Sequence, residues 1–73
     1  MKLNEEKIDQ AALALLWLTL HEECRVWKSI DWGVMNRLHK KGLISDPVNK
    51  NKSVELTSEG LLQAERLAKS LFS

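Results

Sequence analysis

From Asn4 to about His21 the apolar positions recur at helical spacing, with Ile8, Ala12, Leu15, Leu16 and Leu20 forming one stripe. Asn4 is a residue type that caps helix N-termini, and Glu5, Glu6 and Asp9 place negative charge where the helix dipole favours it. Ala11, Leu13, Ala14, Trp17 and Leu18 put apolar groups on the remaining faces, so this predicted helix is apolar all round. A small domain cannot surround such a helix with its own chain, and the excess surface is expected to meet a second copy. The expected homodimer interface is Leu13, Leu16, Trp17 and Leu20, joined by Leu71 and Phe72 near the other end of the chain.

His21 to Cys24 reads as a turn. Arg25 to Ile30 then alternates, with Val26 and Ile30 on one side and Trp27 and Ser29 on the other, which suits either a short strand or a helical turn. Asp31 is a good N-cap for a helix from Trp32 to Lys41 that turns Val34, Met35 and Leu38 inward and Arg37, Lys40 and Lys41 outward; Gly42 ends it as a left-handed residue. Leu43 and Ile44 lead through Ser45-Asp46-Pro47 to Val48. Asn49-Lys50-Asn51-Lys52 supplies a turn, and Ser53 to Leu56 alternates polar and apolar, predicting a β-hairpin with a basic tip. Thr57 caps a last helix, Ser58 to Leu71, with Leu61, Ala64, Leu67, Ala68 and Leu71 inward and Glu65 and Lys69 paired at i, i+4. Without repeat or linker, residues 1–73 read as one α+β domain: helix, short connector, helix, hairpin, helix.

Composition narrows the function more than it defines it. With 73 residues, 44% hydrophobic and 29% charged, the chain is long enough for one core and too apolar for disorder. Cys24 is the only cysteine, so no intramolecular disulfide forms and a reducing cytoplasm is the expected setting. The longest apolar run, Ala11 to Leu18, falls far short of the ~18 residues that span a bilayer, and the charges of Met1 to Gln10 do not resemble a signal peptide. An enzyme is not expected, because a pocket of ~300 Å³ or more is hard to wall with so short a chain. His21, Cys24 and His39 have irregular spacing for a metal site, Gly33, Gly42 and Gly60 are isolated, and neighbouring carboxylates such as Glu22-Glu23 diverge on a helix. No cofactor or metal is implied.

The phrase Asn36-Arg37-Leu38-His39-Lys40-Lys41-Gly42-Leu43-Ile44, then the basic turn, then Val54-Glu55-Leu56-Thr57-Ser58-Glu59-Gly60, resembles winged-helix transcription regulators of the MarR and PadR type. The resemblance covers Asp31 to Phe72. It implies a recognition helix, a β-hairpin wing and a following helix that serves dimerisation. The regulators carry another full helix before the recognition helix, for which only Glu22 to Ile30 is available here, so a trimmed helix-turn-helix is expected. Over its whole length the chain also resembles a family of short bacterial proteins of unknown function, through "EEKIDQAALALLWLTLH", Trp27, Asp31-Trp32, "RLHKKGLI", Asp46-Pro47 and "KSVELTSEG".

Although the formal charge is only +1, its distribution is uneven. Met1 to Cys24 is net −3, Arg25 to Lys52 net +5 and Ser53 to Ser73 net −1. The winged-helix resemblance places Arg37, Lys40, Lys41, Lys50 and Lys52 at phosphates and Asn36 and His39 at base edges, so double-stranded DNA is one expected partner. The simpler account is that lysines before Gly42 answer the helix dipole and lysines at a turn keep it solvated, leaving a module that binds protein instead. Trp27 and Trp32 bracket the connector and are expected either to pack in the core or to line a groove for a base or peptide.

Overall fold

The computed structural model describes residues 2–73. Asn4 Oδ1 accepts the Lys7 amide at 3.2 Å and opens α1, Glu5–Trp17. This helix stops earlier than its apolar run suggests. The amides of Leu18, Thr19 and Leu20 fold back three residues to Leu15, Leu16 and Trp17 carbonyls, and the Thr19 hydroxyl donates to the Leu16 carbonyl at 2.7 Å while accepting the Trp27 amide at 3.1 Å. Such tightened turns close a helix whose last carbonyls lack partners. Glu22 and Glu23 follow with φ of 46° and 71°, reversing the chain into β1, Arg25–Trp27. Within the ambiguous connector, Arg25–Trp27 is therefore a strand, and 28–30 are not.

Asp31 caps α2, Trp32–Lys40, with Oδ2 accepting the Gly33 and Val34 amides at 2.9 and 3.3 Å. Gly42, at φ 77°, releases the chain beyond it, a conformation with little cost only for glycine. β2, Ser53–Glu55, pairs antiparallel with β1 in the register Arg25 to Glu55, Val26 to Val54 and Trp27 to Ser53. Thr57 then caps α3, Ser58–Phe72, accepting the Gly60 amide at 3.0 Å. Three helices and a small antiparallel sheet give the expected α+β, winged-helix-like arrangement.

The wing departs from a regular hairpin. Its outgoing arm meets β2 through the Ile44–Leu56 bridge and the Ser45 hydroxyl, which accepts the Glu55 amide at 3.0 Å, and β2 spends its ladder on β1. Pro47 has no amide to donate, while Asp46 Oδ1 takes the Val48 amide and Asn49 Oδ1 takes that of Asn51, so side chains replace the ladder. Lys28 Nζ donates to Asn49 Oδ1 at 2.9 Å and ties the loop to the end of β1.

Ala12, Leu13 and Leu16 of α1 meet Val34, Met35 and Leu38 of α2, Val26 and Val54 of the sheet, Leu43, Ile44, Leu56 and Ala64 in one core. Leu13 and Leu16 are 1% and 0% exposed, which removes both from the expected dimer interface: the chain does surround the inner face of its first helix. Leu15, read as one stripe with Ala12 and Leu16, lies outside. Trp17 and Leu20 are half-buried against the core, and Leu71 and Phe72 are exposed. No helix among the described residues is long and apolar enough to cross a membrane.

A Cβ on Gly60 would lie 1.9 Å from the Leu43 carbonyl oxygen, which also accepts the Thr57 amide at 3.0 Å. Gly60→Ala must therefore move backbone, and it is expected to cost about 2–3 kcal/mol or more in urea unfolding. Gly42→Ala has open space and only the left-handed φ to oppose it, so about 1–2 kcal/mol is expected. An equal or reversed order would show that α3 does not close on Leu43 as described.

Candidate nucleic-acid interface

The residues expected to contact nucleic acid divide into two groups. Arg37 and Lys41 do not face solvent as a pair of free cations. Asp9 of α1, 2% exposed, lies in phase with Ala12, Leu13 and Leu16 and points its carboxylate at α2. Arg37 donates to it from Nε at 3.0 Å and from Nη2 at 2.8 Å, and Lys41 Nζ donates to Oδ2 at 2.9 Å. Glu5 and Glu6 complete the cluster, at 3.3 Å from Arg37 Nη1 and 3.1 Å from Lys41 Nζ. Arg37 and Lys41, expected at phosphates, are paired instead with the acidic start of α1, which offsets their charge.

Desolvation is the largest single influence on the Asp9 carboxyl and pushes its pKa up, but the hydrogen bonds and charges of Arg37 and Lys41 together outweigh it and hold the group below its ordinary value. The hydrogen bond to Asp9 correspondingly raises Arg37 and Lys41 above theirs.

The second group is free. Asn36, His39 and Lys40 are exposed on the outer side of α2, and Lys50 and Lys52 are exposed on the loop before β2. Among the described residues none of the three lysines makes an ion pair, and α2 contains no carboxylate. His39 Nδ1 lies 3.1 Å from the Ile44 carbonyl. A carbonyl only accepts, so Nδ1 carries a proton, and the tautomer with its single proton there presents Nε2 as an acceptor.

Trp27 and Trp32 do not fill the core as the simpler expectation had it, whereas Trp17 packs against it. Trp32 is 58% exposed, and Trp27 is 48% exposed with the His21 ring stacked on it at 4.4 Å. Sequence reasoning also missed Asp9, whose signal was a carboxylate in register with the buried stripe. Among the described residues no group of three His, Cys, Asp or Glu side chains is placed to hold a metal ion.

A family profile described as a domain of unknown function, DUF6429, matches residues 4–73. The chain belongs to this family. One DUF6429 relative, described as the uncharacterized protein y4hR of Sinorhizobium fredii (strain NBRC 101917 / NGR234), is 58% identical over 73 residues, covering 100% of this chain and 99% of y4hR. A bacterial origin fits that match. Neither comparison is to a MarR- or PadR-type regulator, so the resemblance read from Asn36–Ile44 and Val54–Gly60 is not shown, and the description of DUF6429 names no activity. No solved structure matches the chain.

The Asp9 cluster sets a pH dependence. Because the folded carboxyl titrates below its ordinary 3.8, its contribution to stability is present above that value and is lost as pH falls through the lower folded one. Asp9→Asn is expected to cost about 1–3 kcal/mol at pH 7, moderated because Arg37 and Lys41 can rehydrate. Urea unfolding as a function of pH checks this: the gap between wild type and variant should close below about pH 4. A gap that stays constant down to pH 2 would show that the charge of Asp9 is not what matters.

Proposed function

We propose that the protein is a non-catalytic nucleic-acid-binding module that uses the outer stripe of α2 and the wing loop. The observation that carries this reading is the free set Asn36, His39 and Lys40 on a helix without carboxylates, with Lys50 and Lys52 on the wing. Asn36 has the amide pair that suits an adenine edge, His39 Nε2 accepts from an exocyclic amine, and the lysines meet phosphate. Double-stranded DNA and single strands are both tested as ligands. Fluorescence anisotropy should show binding that weakens with salt at a log–log slope of about −2 to −3, the value for three phosphate contacts. Combined charge reversal at Lys40, Lys50 and Lys52 should abolish it without unfolding the chain. Absence of binding to any oligonucleotide at low salt would end this reading.

A second reading has its own support: two exposed tryptophans, Trp27 and Trp32, are the residue type that anchors protein interfaces. On that reading a protein partner is held with little salt dependence, and reversal of the lysines leaves it bound.

A homodimer belongs to the first reading, since it doubles three free lysines per chain to six. With Leu13 and Leu16 in the core, its contacts fall to Trp17, Leu20, Leu71 and Phe72 together with Leu15 and Leu18 on the outside of the first helix and just past its end. Sedimentation equilibrium at tens of micromolar should give twice 8.4 kDa, and Leu18→Glu should return the monomer. A wild-type chain that sediments as monomer refutes the dimer.

A further inference from the structure

Trp32 is the first residue of α2 and shares the outer stripe with Asn36, His39 and Lys40. At about 100° per residue, positions 32, 36 and 39 fall within some 60° of one another around the axis, with position 40 beside them. A solvent-exposed indole thus stands one turn from an amide and two turns from an imidazole acceptor and a lysine. We infer that this stripe takes an unpaired nucleobase, stacked on Trp32, so that the ligand of the module is single-stranded nucleic acid rather than regular duplex. The inference rests on the nucleic-acid reading above.

Three observations favour that occupant. Complementarity of charge comes first: Lys40 lies on the stripe, Lys50 and Lys52 are free on the wing, and no carboxylate occurs in α2. Asp31, just before the helix, accepts the Gly33 and Val34 amides. Second, pairing of Arg37 and Lys41 with Asp9 leaves few cations, too few for the phosphate-dominated affinity typical of duplex binders, whereas stacking adds affinity that needs no charge. Third, Asn36 and His39 present donors and acceptors that suit the Watson–Crick edge of a base, an edge hidden in duplex and open in single strands.

The test is a set of anisotropy titrations of the full chain against a mixed-sequence single strand, the same strand annealed to its complement, and an abasic single strand of equal length. The single strand should bind about tenfold or more tightly than the duplex, and removal of the bases should weaken it by a similar factor. Trp32→Ala should lose about tenfold on the single strand, Trp32→Phe should recover most of it, and Trp27→Ala should leave it unchanged. Trp32 is exposed, so circular dichroism should show every Trp32 variant folded. Duplex binding as tight as single-strand binding, with Trp32→Ala neutral, overturns the inference and leaves the nucleic-acid reading intact. Failure of all three ligands to bind at low salt overturns both.

Discussion

The orientation of α2 depends on one carboxylate. Asp9 sits on the inward stripe of α1, almost removed from water, and a buried charge is tolerated only when paired and hydrogen-bonded. Arg37 and Lys41 are four residues apart, one turn of helix, so both reach it only if that edge of α2 faces α1. With this edge fixed, Val34, Met35 and Leu38 fall on the core and Trp32, Asn36, His39 and Lys40 fall outside. Hydrophobic burial supplies most of the drive to fold, but it is non-directional. The ion cluster reinforces the rotation that the apolar stripe of this short helix already favours, and so which side chains are offered outward.

Local signals in the chain were legible because their physics is local. Asn4, Asp31 and Thr57 cap the helices expected of them, and Gly42 is left-handed. The inward face of α2 was readable from the spacing of Val34, Met35 and Leu38. The phase of α1 was not: a helix apolar all round has no strong preference of its own, and tertiary packing chose Leu13 over Leu15. The wing was half legible, since its turn chemistry is clear while the competition of Asp46 and Asn49 side chains with a β-ladder shows only in three dimensions.

At the candidate site the exposure of Asn36, His39, Lys40, Lys50 and Lys52 was legible, and the pairing of Arg37 and Lys41 was not. Reading Arg37 and Lys41 along their own helix assigns them to the dipole or to solvent, because the partner lies about thirty residues away in sequence. Trp27 and Trp32 inverted expectation for a related reason. Large aromatics belong in cores on average, but Trp27 is on the outward side of a strand whose inward residue is Val26, and Trp32 is the first residue of a helix whose buried stripe begins at Val34.

The segregation of charge along the chain therefore has a meaning different from the one it first suggests. An acidic first third and a basic middle third look like a tail and a nucleic-acid patch. In the folded chain they answer each other: Glu5, Glu6 and Asp9 take Arg37 and Lys41, and Glu55 takes Arg25. Much of the +5 of the middle segment is spent inside the protein, and a count of basic residues overstates what a ligand would meet. What is left over after internal pairing is the informative quantity. Here the remainder, Lys28, Lys40, Lys50 and Lys52 outside any ion pair among the described residues, with an amide, an imidazole and an indole exposed on α2, is small in charge and rich in hydrogen-bonding and stacking groups. Any ligand held by this face has to be recognised by shape and hydrogen bonding more than by field.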